Sequence, residues 1–287
     1  MTAAHWLALL TGGATLVLIV AGGLVTNTGS ALAVPDWPTT FGHNMFLYPW
    51  SRMVGGVFYE HSHRLLGALV GLLTLGLAAA LWRLGGGLRL AGVVAVIVVV
   101  AQGVLGGLRV VLLQDVLAIV HGCLAQAFVA LLAGLALATS ARAVRPVAPL
   151  EPGARTAVLL AAAVVYVQIV FGALLTHAGW LELHLVGALA VFAFVPIAAA
   201  RLRRGGDALG TPLARTLLAL LIVQLVLGIA ALTVRLDPQL APALVLILPA
   251  AHRLAGSLIL AVAVMLAIRV WPATPHTPAL PKVVATA

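Results

Sequence analysis

Leu18-Ile-Val-Ala-Gly-Gly-Leu-Val-Thr-Asn-Thr-Gly29 returns, with substitutions, as Gln168-Ile-Val-Phe-Gly-Ala-Leu-Leu-Thr-His-Ala-Gly179. Each stretch closes an apolar segment of about 20 residues, the length that crosses a bilayer. Further pairs follow in the same order. Glu60-His-Ser-His63-Arg-Leu-Leu-Gly-Ala-Leu matches Leu181-Glu-Leu-His184-Leu-Val-Gly-Ala-Leu with one residue of slack, and Ala101-Gln-Gly-Val-Leu-Gly106 matches Val223-Gln-Leu-Val-Leu-Gly228. His121 and His252 occupy equivalent places in the last segment of each half. The chain therefore reads as two copies of one four-helix unit.

Composition places both copies in a membrane. Mean hydropathy is +1.18, and only 8% of the 287 residues are charged against 63% hydrophobic. A soluble core of this size needs a charged surface that these residues do not provide. The net charge of +9 does not indicate nucleic acid, because basic patches interleaved with aromatics are absent. Cys123 stands alone, which excludes an intramolecular disulfide, a thiolate cluster and a CxxCH haem attachment. The first apolar stretch, about Trp6 to Val25, lacks a basic leader and a cleavage signal and reads as a retained helix.

The expected fold is an all-α integral membrane protein with eight spans, near 5–27, 59–82, 88–108, 116–139, 155–176, 181–200, 212–234 and 246–271. Residues 1–141 form the first bundle, 142–154 a linker, 155–272 the second bundle and 273–287 a tail. Arg83, Arg89, Arg142, Arg145, Arg155, Arg201, Arg203, Arg204, Arg215, Arg269 and Lys282 fall on one side, against Arg52, Arg109 and Arg235 on the other. The positive-inside rule then puts both termini, the linker and the tail in the cytoplasm, with the cell membrane as the location.

In this orientation His63, His121, His184 and His252 all lie just inside the outer ends of spans 2, 4, 6 and 8. An imidazole in hydrocarbon needs a partner or a metal. Four of them at one level, two per bundle, point to two bis-histidine haem sites toward the outer face. Interfacial anchoring is the bland reading of any one of them. Arg64 and Arg253 each follow a candidate ligand and, with Arg109 and Arg235, are candidates for haem propionates.

The two halves differ in one connection. Residues from about Thr28 to Phe58 form a long outer loop, rich in aromatics and proline, that reads as a lid; its counterpart, Gly179 to Leu181, is minimal. The lid belongs with a substrate and the short turn with a fixed cofactor. Glu60 lies three residues before His63, so both project from nearly the same helix face. It is the candidate proton acceptor, or else pairs with Arg64 or Arg52. Glu182 is two residues from His184 and points elsewhere, and His61 faces away from His63.

The motif Thr28-Gly-Ser-x-x-x-x-Pro-Asp36-Trp37-Pro38, followed by Glu60-x-x-His63-Arg64 in an eight-span duplicated chain, resembles the haem A synthase family. The resemblance implies oxidation of the C8 methyl group of haem O to a formyl group, giving haem A, with water as the oxygen source. It implies that His63 and His121 border the substrate haem, that His184 and His252 ligate a haem b cofactor, and that Glu60 is the essential acid. It also implies haem O synthase, a protohaem farnesyltransferase, as a partner beside membrane lipid. Many relatives carry two cysteines where this chain has Val34 and Thr40, so the resemblance is to a subclass without that pair. The competing reading is a dihaem b electron carrier without substrate chemistry. A transporter is disfavoured because the polar groups gather near one face rather than at the midplane.

Overall fold

A computed structural model of the chain describes residues 2–141, 149–237 and 239–271. Eight helices carry it: α1 (Ala3–Asn27), α2 (Gly56–Trp82), α3 (Gly86–Leu112), α4 (Asp115–Ala138), α5 (Ala154–Ala178), α6 (Leu181–Arg204), α7 (Gly210–Leu236) and α8 (Pro242–Val270). All eight are long and apolar enough to span a bilayer, so this is a multi-pass membrane protein. The helices overrun the expected spans at several ends. A helix of 27 residues is about 40 Å long at a rise of about 1.5 Å per residue. It therefore projects beyond a hydrocarbon layer of about 30 Å. Part of the linker and the whole of the expected tail lie outside the described residues.

Helices α1 to α4 pack as one ring of neighbours and α5 to α8 as another, and the rings meet through α1, α4, α5 and α8. Helix α8 is central: 56% of its most apolar stretch is buried, against 11–28% in the other helices. Turns between consecutive helices are tight where backbone chemistry permits. Leu113 and Gln114 alone join α3 to α4, and Gly179 and Trp180 alone join α5 to α6, with Gly179 at φ +80° closing α5 in the left-handed conformation.

The two apolar cores sit at the same end of the molecule, away from the histidines. In the first ring Ala4 and Ala8, at the start of α1, meet Leu77 and Leu81, near the end of α2, together with Phe128, Leu132 and Leu135 of α4. In the second, Val158, Val195, Leu202, Leu217, Leu260 and Leu266 do the same. The helices are thus packed shut at one end, leaving the histidine end to be filled differently.

A buried ion pair closes the packed end. Arg269 of α8 donates to both oxygens of Asp207 at 3.0 and 2.9 Å, and Asp207 also accepts the Gly210 N–H at 2.7 Å at the start of α7. Removing one partner strands a buried charge, which costs about 3–5 kcal/mol. Arg269→Met should therefore lower unfolding stability in detergent by that order, and the double variant Asp207→Leu/Arg269→Met should lose less than the single one. Equal or greater loss in the double variant would contradict this assignment.

Candidate functional site: four histidines and a pinned lid

Each candidate histidine lies on the second helix of a hairpin, and the first helix turns a glycine toward it. A Cβ added at Gly22 would stand 2.9 Å from Cε1 of His63. The same atom would stand 3.3 Å from His121 at Gly106, 3.4 Å from His184 at Gly172 and 3.0 Å from His252 at Gly228. The hairpins α1–α2, α3–α4, α5–α6 and α7–α8 therefore repeat one unit, an imidazole seated on bare backbone. The duplication seen in the sequence is fourfold at this level. Depth from the helix start is not what the four share: His184 is in the first turn of α6, but His252 is in the third turn of α8, which begins earlier than expected at Pro242. The shared register is against the preceding helix.

The rings of His184 and His252 meet edge to face, with centres 6.1 Å apart and planes at 70°. Two imidazoles bound to one metal from opposite sides, at about 2 Å per bond, have centres about 6 Å apart. His63 and His121 lie within electrostatic reach of one another, without a ring contact among the described residues. The Nδ1 atoms of His63, His121 and His252 are buried with no hydrogen-bond partner. All four histidines are half-buried by surface area. Among the described residues no three metal-ligating side chains cluster. Imidazoles brought together across hairpins and glycines that admit the rings fit a metal macrocycle that histidines of this set would hold.

The outer loop is pinned to the first turns of α2 by three neighbouring side chains. Arg64 donates to the carbonyls of Asp36 (2.7 Å), Thr39 (3.0 Å) and Val34 (2.9 Å), and to Glu60 Oε1 at 2.7 Å. Glu60, 4% exposed, accepts the Val34 N–H on its other oxygen at 2.8 Å. His61 binds the Thr40 hydroxyl at 3.1 Å under the ring of Tyr48. Val34 and Thr40 are fully buried, and the Arg64 clamp ties the loop between them without a covalent bond. Trp37 reaches α3 and lies directly on Gly107, where any Cβ would collide with the indole.

Several expected residues land as their types suggested. Glu60 pairs with Arg64, and Glu182 is exposed on α6. Arg253 is engaged elsewhere, donating to the Gly23 carbonyl at 3.2 Å and to Asn27 Oδ1 at 3.0 Å, which joins α8 to the outer end of α1. Arg109 and Arg235 make no side-chain hydrogen bond among the described residues, and Arg109 lies within electrostatic range of Glu60. Residues that sequence reasoning passed over are Gly22, Gly106 and Gly228 facing the rings, the glutamines Gln102, Gln168 and Gln224, and the clamping task of Arg64; Gly172 was singled out as one of the small residues that admit a close approach. The recurring Gln-x-x-x-Gly spacing was the available signal for the first two groups.

Residues 4–183 match the family described as "Cytochrome oxidase assembly protein" (COX15-CtaA). The chain belongs to this family. The matched region takes in the lid, Glu60, His63, Arg64 and His121, and it ends one residue before His184. Among curated relatives, the "Heme A synthase" of Shouchella clausii (strain KSM-K16) is 33% identical over 180 residues, 60% of this chain and 58% of the relative. The chain thus spans less than two thirds of that relative's length.

Within this family member the lid carries its own titratable brace. Partial burial raises the pKa of Asp36, but the Gly42 N–H, the Thr39 hydroxyl and the Phe41 N–H together outweigh it and hold the carboxyl down at about 2. A depressed carboxyl stabilises the folded loop above its usual pKa and loses that contribution as pH falls through about 2. Hydrogen exchange at Phe41 and Gly42, corrected for intrinsic rate, should rise between pH 4 and pH 2, and Asp36→Asn should show the faster rate at both. Gly107→Ala should displace Trp37 and raise protease nicking of residues 34–43, whereas Gly103→Ala on the same helix, with open space around it, should not.

Proposed function

We propose that this protein is a haem A synthase, oxidising the C8 methyl group of haem O to a formyl group with water as the oxygen source. The observation that carries the reading is the inequality of two histidine pairs. The rings of His184 and His252 lie 6.1 Å apart, behind a minimal turn, where the two would together hold a haem that supplies one-electron redox chemistry. His63 and His121 are set beside a folded lid and a buried Glu60–Arg64 pair. A resident cofactor needs the first arrangement, and a substrate that must enter and leave needs the second. The relative named for haem A synthesis and the family membership support the same assignment.

On this reading His63 and His121 border the substrate haem, and His184 and His252 hold a haem b, which supplies one-electron redox chemistry beside the substrate site. Converting a methyl to a formyl group with one water releases four electrons and four protons, and the electrons must leave the protein to an external oxidant such as a membrane electron carrier. Glu60 takes up a proton at its carboxylate, where each oxygen has one partner and retains a further lone pair. Arg64 holds that carboxylate in place and the lid over it, which limits bulk water at the reacting carbon. For the haem propionates we favour Arg109 and Arg235 over Arg64 and Arg253, whose donors already serve the lid and α1. We read the termini as cytoplasmic and the histidines as lying toward the outer face of the cell membrane, a reading that the excess of basic residues on the opposite side supports.

The test is coexpression with a haem O-producing farnesyltransferase, followed by extraction and mass identification of haems. The wild-type protein should yield haem A. Glu60→Ala should keep a b-type spectrum and yield no haem A, and His252→Ala should lose the b-type spectrum. Haem B alone, with haem O untouched beside the wild-type protein, would replace the synthase reading with that of an electron carrier. Undiminished haem A from Glu60→Ala would remove Glu60 from the chemistry.

A further inference from the structure

Between Trp37 and Tyr59 the lid and the start of α2 carry a single arginine, Arg52, and no acidic residue or lysine. Two short 3-10 turns, Met45–Leu47 and Trp50–Arg52, shape this stretch and give it two faces. Tyr48 and Met53 turn inward and are buried, Tyr48 with its ring 5.2 Å from that of His61. Phe46, Leu47, Trp50, Val54 and Phe58 are exposed, Leu47 at 78% and Trp50 at 76%. Connecting loops in water present polar groups outward, and a contiguous apolar face of this kind marks a surface that something covers.

The level of the loop says what covers it. His61 lies in the second turn of α2, so Tyr48 and the turn before it stand beside the helix rather than above its end. The 27 residues of α2 span about 40 Å at about 1.5 Å per residue, the thickness of a bilayer with both headgroup layers included. The second turn of α2 therefore falls where the headgroup layer on the lid's side meets the hydrocarbon. Phe58 also begins a stripe. Leu69 and Leu72, three and four turns further along the same side of α2, are exposed on a helix that spans the membrane. The apolar face of the lid is thus continuous with the lipid-facing surface of α2. Aromatic and aliphatic side chains beside one exposed arginine are the composition of an interfacial segment, whose rings settle at headgroup level while the guanidinium reaches phosphate.

We propose that this face of the lid is a membrane contact, with Phe46, Leu47, Trp50 and Val54 seated between the headgroups and acyl chains of the adjacent leaflet and Arg52 directed to lipid phosphate. Lipid then braces the lid from outside as Arg64 braces it from inside. The edge of the covered site borders the leaflet rather than bulk water. The contact is the same whether or not the histidines carry haem.

Spin labelling of the full chain in phosphatidylcholine nanodiscs, with Cys123→Ala as background, tests the contact. Nitroxides at Leu47→Cys and Trp50→Cys are compared for collision with oxygen, which partitions into lipid, and with a neutral nickel chelate, which stays in water. Leu72→Cys supplies the lipid reference, and Gln239→Cys, exposed in the turn after α7, the water reference. The oxygen-to-nickel ratio at both lid sites should stand several-fold above that at Gln239→Cys. A second measurement leaves the lid unlabelled: the emission that wild type loses on Trp50→Phe should be quenched by phosphatidylcholine brominated near the headgroup end of its acyl chains. A water-like ratio at either lid site, or Trp50 emission untouched by brominated lipid, would overturn the proposal and leave this face to a protein partner.

Discussion

The contact on which the rest depends is an imidazole ring resting on a glycine of the preceding helix. A polar ring inside an apolar bundle costs roughly 1–3 kcal/mol when its nitrogen has no partner, and three of the four rings, those of His63, His121 and His252, stand with Nδ1 unpaired. The glycines let the rings withdraw against backbone, which keeps the space between facing helices open. The apolar cores answer from the opposite end, where Leu77, Leu81, Leu132 and their counterparts in the second ring close the helices together. Stability and the site are thereby separated along the helix axes. The helices can stay apart at the histidines because they are fixed below them.

The lid is a second consequence of the same layout. Consecutive turns of α2 carry both the ligand candidate His63 and the side chains that hold the loop, Glu60, His61 and Arg64. A change in the loop is therefore mechanically close to the ring, through one helix and a few hydrogen bonds. The corresponding position in the last hairpin, Arg253, grips α1 at Gly23, immediately beside the Gly22 on which His63 rests. The two rings of helices are joined at the point where their sites approach, so neither site is independent of the packing of the other.

Much of this was legible in the residues. Eight spans followed from apolar run length and the lid from its prolines and aromatics, whereas the common depth read for the four histidines gives way to a shared register against the preceding helix. The pairing of Glu60 with Arg64 was one of the readings its spacing allowed. The fourfold repeat was missed because similarity between adjacent hairpins survives only as a glycine, a histidine and a glutamine that the first hairpin lacks. The task of Arg64 was hidden because it serves carbonyls, and backbone acceptors leave no mark in a sequence. The family match, too, stops before His184, so the case for the second pair rests on the hairpin geometry and its internal repetition.

The central claim is that facing imidazoles on glycine seats hold a metal macrocycle between them. Diffraction from the purified protein at the iron absorption edge tests it most directly. The account requires an anomalous peak midway between the rings of His184 and His252, lost in His252→Ala while the fold is retained. Iron located away from these rings, or a peak that survives the substitution, would contradict it.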